Sequence, residues 1–351
     1  MTNEFLINDI RTIKDFKKIS FSGYEKGKVV KQLLLNLSSN QIEHACNWAV
    51  ELIASGHFKD LWEAIILYMS KYIHIASPKL PIYISLRMKD FRDIIKNGYV
   101  NNELELRNNS NIRQLFGELV YILCSAPKKH TFDLLKINKL QDFSMENIQS
   151  KLKAPSIKYL EHIYKSGDPQ ELFIAINELC FHISSKNSYN STYWVEWIIE
   201  FDNVCNKNKH PCICERRAWA TVDAKFQKNS IWIIWEIIKN EAKKSQVKEK
   251  IILALLDIFS LRFTPGLIKR RKYIIYNAIN ILTEKIDLNV SVINDIKKVE
   301  NIKSKINLIY KEIKKNEKTP ATDYLFNIDA ISNIEKTREK LEIMNKIFEI
   351  K

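Results

Sequence analysis

Seven glycines and eight prolines in 351 residues limit what this chain can become more than any other feature. A doubly wound nucleotide-binding fold places glycines at its phosphate turns, and β-sandwiches and barrels need Gly and Pro at many corners. A chain with about 2% of each, against typical usage of about 7% and 5%, is predicted to be all-α. The apolar content of 46% is ordinary and suffices for one large core or two smaller ones.

Helix punctuation supports that class. Asn40 with Glu43 reads as a capping pair ahead of Ala45, Trp48, Ala49 and Leu52, which recur at helical spacing. Ser55-Gly56 should end that helix, because Gly tolerates the left-handed C-terminal position. Asp60 is placed to cap a helix through Trp62, Ile65, Ile66 and Met69, with Pro78 and Pro81 ending any continuation. Another helix should begin near Ser110 and run to Ala126-Pro127. In Asp168-Pro169-Gln170-Glu171, Asp reads as the cap and Pro as the first turn.

The chain also repeats an order of phrases. Trp48-Ala-Val-Glu51, Trp62-Glu63, Ser85-Leu86-Arg87 and Arg113 are followed by Trp194-Val-Glu196, Trp235-Glu236, Ser260-Leu261-Arg262 and Arg271. This predicts two related multi-helix units, an internal duplication. The expected organisation is an N-terminal segment 1–27, unit 1 with its connection at 28–167, unit 2 at 168–288 and a basic C-terminal helical hairpin at 289–351. Ile293, Ile296, Ile306, Ile309 and Ile313 would face one way on the first hairpin helix. Ile334, Leu341, Met344 and Ile347 would do so on the second.

Catalytic signatures are scarce. Gly23-Tyr-Glu-Lys-Gly27-Lys28-Val29 is one residue short of a phosphate loop and lacks its Ser/Thr, so a basic surface turn is expected. Cys205, His210, Cys212 and Cys214 could in principle surround zinc, but the one-residue gap between Cys212 and Cys214 and the intervening Pro211 favour free thiols. Glu51, Glu63, Glu196 and Glu236 lie on apolar helices. They are weighed as structural ion-pair partners of Arg87, Arg113 and Arg262, with Arg271 as a further partner, rather than as acid catalysts. The seven tryptophans read first as core, with base stacking as the alternative. No enzymatic constellation, metal site or cofactor is expected.

Charge is the feature with functional content. The formal net charge is +14, and Lys239 to Lys318 carries 19 Lys/Arg against 9 Asp/Glu. Lys269-Arg270-Arg271-Lys272 follows Thr264-Pro265-Gly266 near a helix start, and Lys297, Lys298, Lys303 and Lys305 follow on the next helix. Cations beside a helix N-terminus suit phosphate oxygens, so these eight residues are the candidate nucleic-acid or polyanion contacts. The alternative is a solvated Lys-rich face, or one meeting acidic proteins. Ile makes up about 15% of the chain, a bias that points to an AT-rich coding genome. Six cysteines without framework spacing suggest a reduced, intracellular protein. No stretch predicts a signal peptide or a membrane span, so a soluble protein is expected.

Several phrases together carry a resemblance. Ala45-Cys-Asn-Trp48-Ala-Val-Glu51 with Ser55-Gly56-His57, Leu61-Trp62, Ser77-Pro78-Lys79-Leu80-Pro81, Arg107-Asn108-Asn109, Tyr193-Trp194-Val-Glu196-Trp197 and Arg216-Arg217 are the residues concerned. They resemble a helical protein family of large nucleocytoplasmic DNA viruses, of the mimivirus and phycodnavirus (giant virus) kind, over most of residues 20–285. The resemblance implies a viral product acting in host cytoplasm or virus factories, or packaged in the virion. It implies no catalytic residue. The function expected is therefore a non-enzymatic basic scaffold binding nucleic acid or a nucleoprotein assembly in viral replication, transcription or packaging. The alternatives are a virion structural or assembly protein and a tandem cyclin-like transcription factor. The last needs five helices per unit, of which the sequence places four.

Overall fold

The computed structural model describes residues 4–100, 102–131 and 135–318. They are all-α: among them there is no strand, only an isolated bridge between Ile19 and Glu25. The first half holds α1 (Lys26–Ser38), α2 (Ile42–Ala54), α3 (Phe58–Tyr68), α4 (Leu80–Lys96) and α5 (Ser110–Ser125). A short α6 (Met145–Lys151) sits in the connection. The second half holds α7 (Phe173–Ser184), α8 (Ser188–Lys207), α9 (Ile231–Ala242), α10 (Gln246–Ser260) and α11 (Ile268–Thr283), and α12 (Ile296–Lys314) follows.

Helix ends follow side-chain chemistry, though not always at the residues expected. The Asn109 carboxamide accepts from the N–H groups of Asn111 and Ile112 and so starts α5. Asp295 does the same for α12 through Lys298 N–H, at 3.0 Å. Gly56, with φ +74, ends α2 in the left-handed conformation expected of it. Asn40, by contrast, does not cap α2. With φ +56 it closes α1, a role in which Asn substitutes for Gly. Asp60 lies inside the first turn of α3 and pairs with Lys26 at 3.1 Å, where a negative charge suits the helix dipole. Pro81 does not end a helix. It occupies the first turn of α4, where a missing N–H costs nothing.

Several helix pairs recur in the two halves, while α2 packs on α3 in the first only, and α9 on α10 and α11 has no counterpart of similar extent there. In the first, α1 packs on α2, α3 and α5, with α2 and α4 also on α5. In the second, α7 packs on α8, α9 and α11, with α8 and α10 also on α11. The halves meet where α4 packs on α10 and α3 on α11, and one continuous apolar core runs through both. Trp194, Trp232 and Trp235 are wholly enclosed in it, and Trp62 and Trp197 nearly so. These five are core; Trp48 and Trp219 are half-buried.

α12 lies across α5 and α2, with Ile306 against Gly117, whose missing side chain leaves room for it. The N-terminal segment fastens its far end: Ile10 N–H donates to the Lys318 carbonyl at 3.1 Å, and Lys318 N–H donates to Asp9 at 2.8 Å. The second hairpin helix, with Ile334, Leu341, Met344 and Ile347, lies outside the described residues. No single helix among the described residues is long and apolar enough to cross a membrane.

Candidate polyanion-binding surface

The basic run Lys269–Lys272 opens α11 after a turn shaped by Arg262 (φ +46), extended Thr264 and the short helix Pro265–Leu267. Four consecutive helical residues sweep about 300° of the circumference, so they cannot all face solvent on a packed helix. Lys269 and Arg270 are exposed, and neither forms an ion pair among the described residues. The other two turn inward, which corrects their expected role as phosphate contacts.

Arg271 is 4% exposed. Its guanidinium donates to the carbonyls of Phe259 (2.8 Å) and Leu261 (2.7 Å) and pairs with Glu63 of α3. It therefore satisfies carbonyls that the end of α10 leaves without helical partners, and ties the second half to the first. Lys272 pairs with buried Glu196, which also accepts from Tyr276 Oη at 2.7 Å. These two cations hold the fold together.

The α12 lysines divide in the same way. Lys297, Lys298 and Lys305 are exposed, Lys298 lying 3.9 Å from Asp295 of its own helix. Lys303 instead pairs with Glu118, a buried acid on α5 that also takes the Tyr83 hydroxyl and lies 3.6 Å from Arg87. The Glu118 carboxylate holds the Lys303 ammonium above its usual range. Lys303 is thus a docking contact for α12, not a free cation.

The expected carboxylate–arginine pairs form in part. Glu63 has Arg271 and Glu236 has Arg217, at 3.0 Å. Glu51 has no arginine partner among the described residues: it accepts from the N–H and hydroxyl of Ser22 and so fixes the turn before α1. Glu196 meets Lys272 rather than an arginine. Arg87 bridges Asp90 (3.1 Å) and Glu118. Arg113 has no carboxylate partner among the described residues; it donates to the carbonyls of Arg107 (2.9 Å) and Phe5 (2.7 Å) and lies over the Tyr310 ring. Arg262 is largely exposed, 3.7 Å from Glu103. Glu118 is marked by no local phrase, and Asp168 and Arg217, read from the sequence as a helix cap and as part of Arg216-Arg217, meet each other over a separation that no local pattern signals.

The loop around Cys205, His210, Cys212 and Cys214 buries two of its thiols, Cys212 and Cys214. A contact with Cys212, with burial, raises the Cys214 thiol. Among the described residues, no group of three or more His, Cys, Asp or Glu is arranged to hold a metal ion. In the turn that resembles a phosphate loop, Ser22 N–H is already taken by Glu51, and Gly23 (φ +85) makes the tight bend.

Lys269 also borders a cavity of about 610 Å³ between the end of α8 and the start of α11. Lys207, Asn203, Asn206 and Ser230 line it too, together with Asp202, Glu200, which pairs with Lys139 at 2.9 Å, and the ion-paired Lys272. The Asp202 carboxyl is pushed up to about 6 by burial, opposed by a hydrogen bond from Asn206. The exposed cations that line this opening are therefore Lys269 and Lys207, with Arg270 the next residue on α11. Comparison with protein families, curated proteins and solved structures finds no match to this chain.

Proposed function

We propose that this chain is a non-enzymatic helical scaffold that binds nucleic acid or another polyanion without sequence specificity. The supporting observation is the start of α11. There, Lys269 and Arg270 are exposed without an ion-pair partner among the described residues, beside a cavity that Lys207 also lines. A helix N-terminus adds backbone N–H groups and a positive dipole end to those charges, which suits phosphate oxygens. Lys297, Lys298 and Lys305 supply further charge on α12. The setting that the viral resemblance implies is replication, transcription or packaging in host cytoplasm, a virus factory or the virion. Binding of this kind weakens steeply with salt, because each neutralised phosphate releases counterions. Filter binding at low salt tests it, and absence of affinity there removes the reading.

One observation favours a second reading, a tandem cyclin-like transcription factor. That arrangement needs five helices in each unit, and among the described residues each half has five apart from α6 in the connection, with several of their packing pairs in common. Matching positions support a duplication behind them. Arg113 and Arg271 each stand fourth in their helix, each buried and each donating to backbone carbonyls. Glu63 and Glu236 each stand sixth in theirs, each paired with an arginine. Under this reading the chain associates with other transcription proteins in addition to nucleic acid, and co-purification from cells expressing the tagged full chain tests it. Recovery of nucleic acid alone removes it.

A further inference from the structure

The other side of the same turn borders a second cavity, of about 230 Å³, at the seam between the halves. α3 and α4 form one wall; Leu261, Arg262, Leu267 and Arg271 form the other. Its body is apolar and aromatic. Phe58, Trp62 and Phe91 are each at most 7% exposed, and the Phe91 ring centroid lies 5.6 Å from both Phe58 and Trp62. Such rings prefer offset or edge contacts with another flat ring.

The charged lining has more donors than acceptors, four cations against two acids. Lys59, Arg92 and Arg262 reach the cavity from three separate segments, and neither Lys59 nor Arg92 has an ion-pair partner among the described residues. Only two acids line it. Glu63 is engaged by Arg271, and Glu103 lies 3.7 Å from Arg262. Two further N–H groups of lining residues, Trp62 Nε1 and Arg271 Nε, have no acceptor among the described residues. Arg262 is held over this site in the left-handed region (φ +46), a conformation costing a non-glycine residue about 1 kcal/mol or more.

The geometry points to a binding site for a small aromatic anion, its ring among Phe58, Trp62 and Phe91 and its charge between Arg92, Arg262 and Lys59. The volume is below the roughly 300–1,000 Å³ of sites for drug-sized ligands, so one or two fused rings fit and a larger cofactor does not. Such a ligand is either a free metabolite or a base with its phosphate on a strand. The inference does not rest on polyanion binding through Lys269 and Arg270, so either can fail alone.

Isothermal titration of the full chain tests it with 2-naphthoate, neutral 2-naphthol and cationic 2-naphthylmethylamine. The naphthoate is expected to bind at least about tenfold more tightly than the other two, the scale of one charge-assisted contact. Arg92→Ala combined with Arg262→Gly, which retains the backbone conformation, should remove that preference while leaving naphthol binding in place. Equal affinity for all three probes, no binding of naphthoate, or an unchanged preference in the double variant overturns the assignment. Displacement of naphthoate by an oligothymidylate supports a strand as the source of the ligand; retention supports a free small molecule.

Discussion

Arg217 and Asp168 are locked together with both side chains fully shielded from solvent. Arg217 Nη2 donates to Asp168 Oδ2 at 2.7 Å, and Nη1 to Oδ1. The remaining donors go to Glu236 (3.0 Å) and to the carbonyls of Glu215 and Ile163. Asp168 in turn accepts from the N–H groups of Lys165 and Glu215. This joins the start of the second half to its long α8–α9 loop and to α9. Removing one member leaves a buried charge without its partner, which typically costs about 3–5 kcal/mol. Urea denaturation of Arg217→Met should show a loss of that order. Arg217→Met with Asp168→Asn should recover part of it, since the fully buried carboxylate is gone and only the partly exposed Glu236 is left without its arginine. A single-variant loss within experimental error would remove the pair from the account of stability.

That pair also shows where the sequence stops being informative. Apolar periodicity and helix stops reveal the all-α class and the ends of α2 and α5, because those signals are local. Asp168 carries a local capping pattern, Asp-Pro-x-Glu, yet spends its carboxylate on an arginine 49 residues away. Arg271 sits in a run of four cations, and only its position around the helix decides that it faces the core. Glu51 is satisfied by Ser22, 29 residues earlier, and its own helix gives no sign of this. Local propensity is legible in one sequence; the choice among distant polar partners is a property of packing.

The acid side of the stability profile should carry two opposing contributions. His74 is buried; Nδ1–H donates to the Ser70 carbonyl and Nε2 accepts from Asn280, each at 2.8 Å, so the ring is held neutral. Burial lowers its pKa to about 4. Its contribution is present above about 6.5 and is lost as pH falls toward 4, since the unfolded chain takes the proton first. Asp202, raised to about 6, acts in reverse: its contribution is full below about 4 and lost as pH rises through 6. Asp202→Asn should therefore make stability rise more steeply between pH 5 and 7, by about 1 kcal/mol over that window. His74→Gln should make it fall. Unfolding free energies at matched pH values check both signs, and parallel profiles for all three proteins would contradict them.

Docking of α12 should depend on the space at Gly117. A Cβ there would stand 3.4 Å from Ile306, an ordinary contact, so Gly117→Ala should be neutral or stabilising by up to about 1 kcal/mol through helix propensity. Gly117→Leu places bulk where Ile306 lies and should lift α12 away. Limited trypsin digestion would then cut at Lys297, Lys298 and Lys305 faster than in the parent protein. Equal cleavage rates would contradict this placement of α12.

The basic run that opens α11 divides into two outward cations, Lys269 and Arg270, and two inward ones, Arg271 and Lys272. The measurement that tests this division most directly is the salt dependence of affinity for a non-specific duplex, for the parent protein and two double variants. Lys269→Ala/Arg270→Ala should weaken binding and flatten the slope of log K against log salt by about 2, the loss of two phosphate contacts. Arg271→Met/Lys272→Met should lower the unfolding midpoint while leaving that slope unchanged at temperatures where the protein is folded. A slope unaffected by the first variant, or flattened as much by the second, would contradict the account.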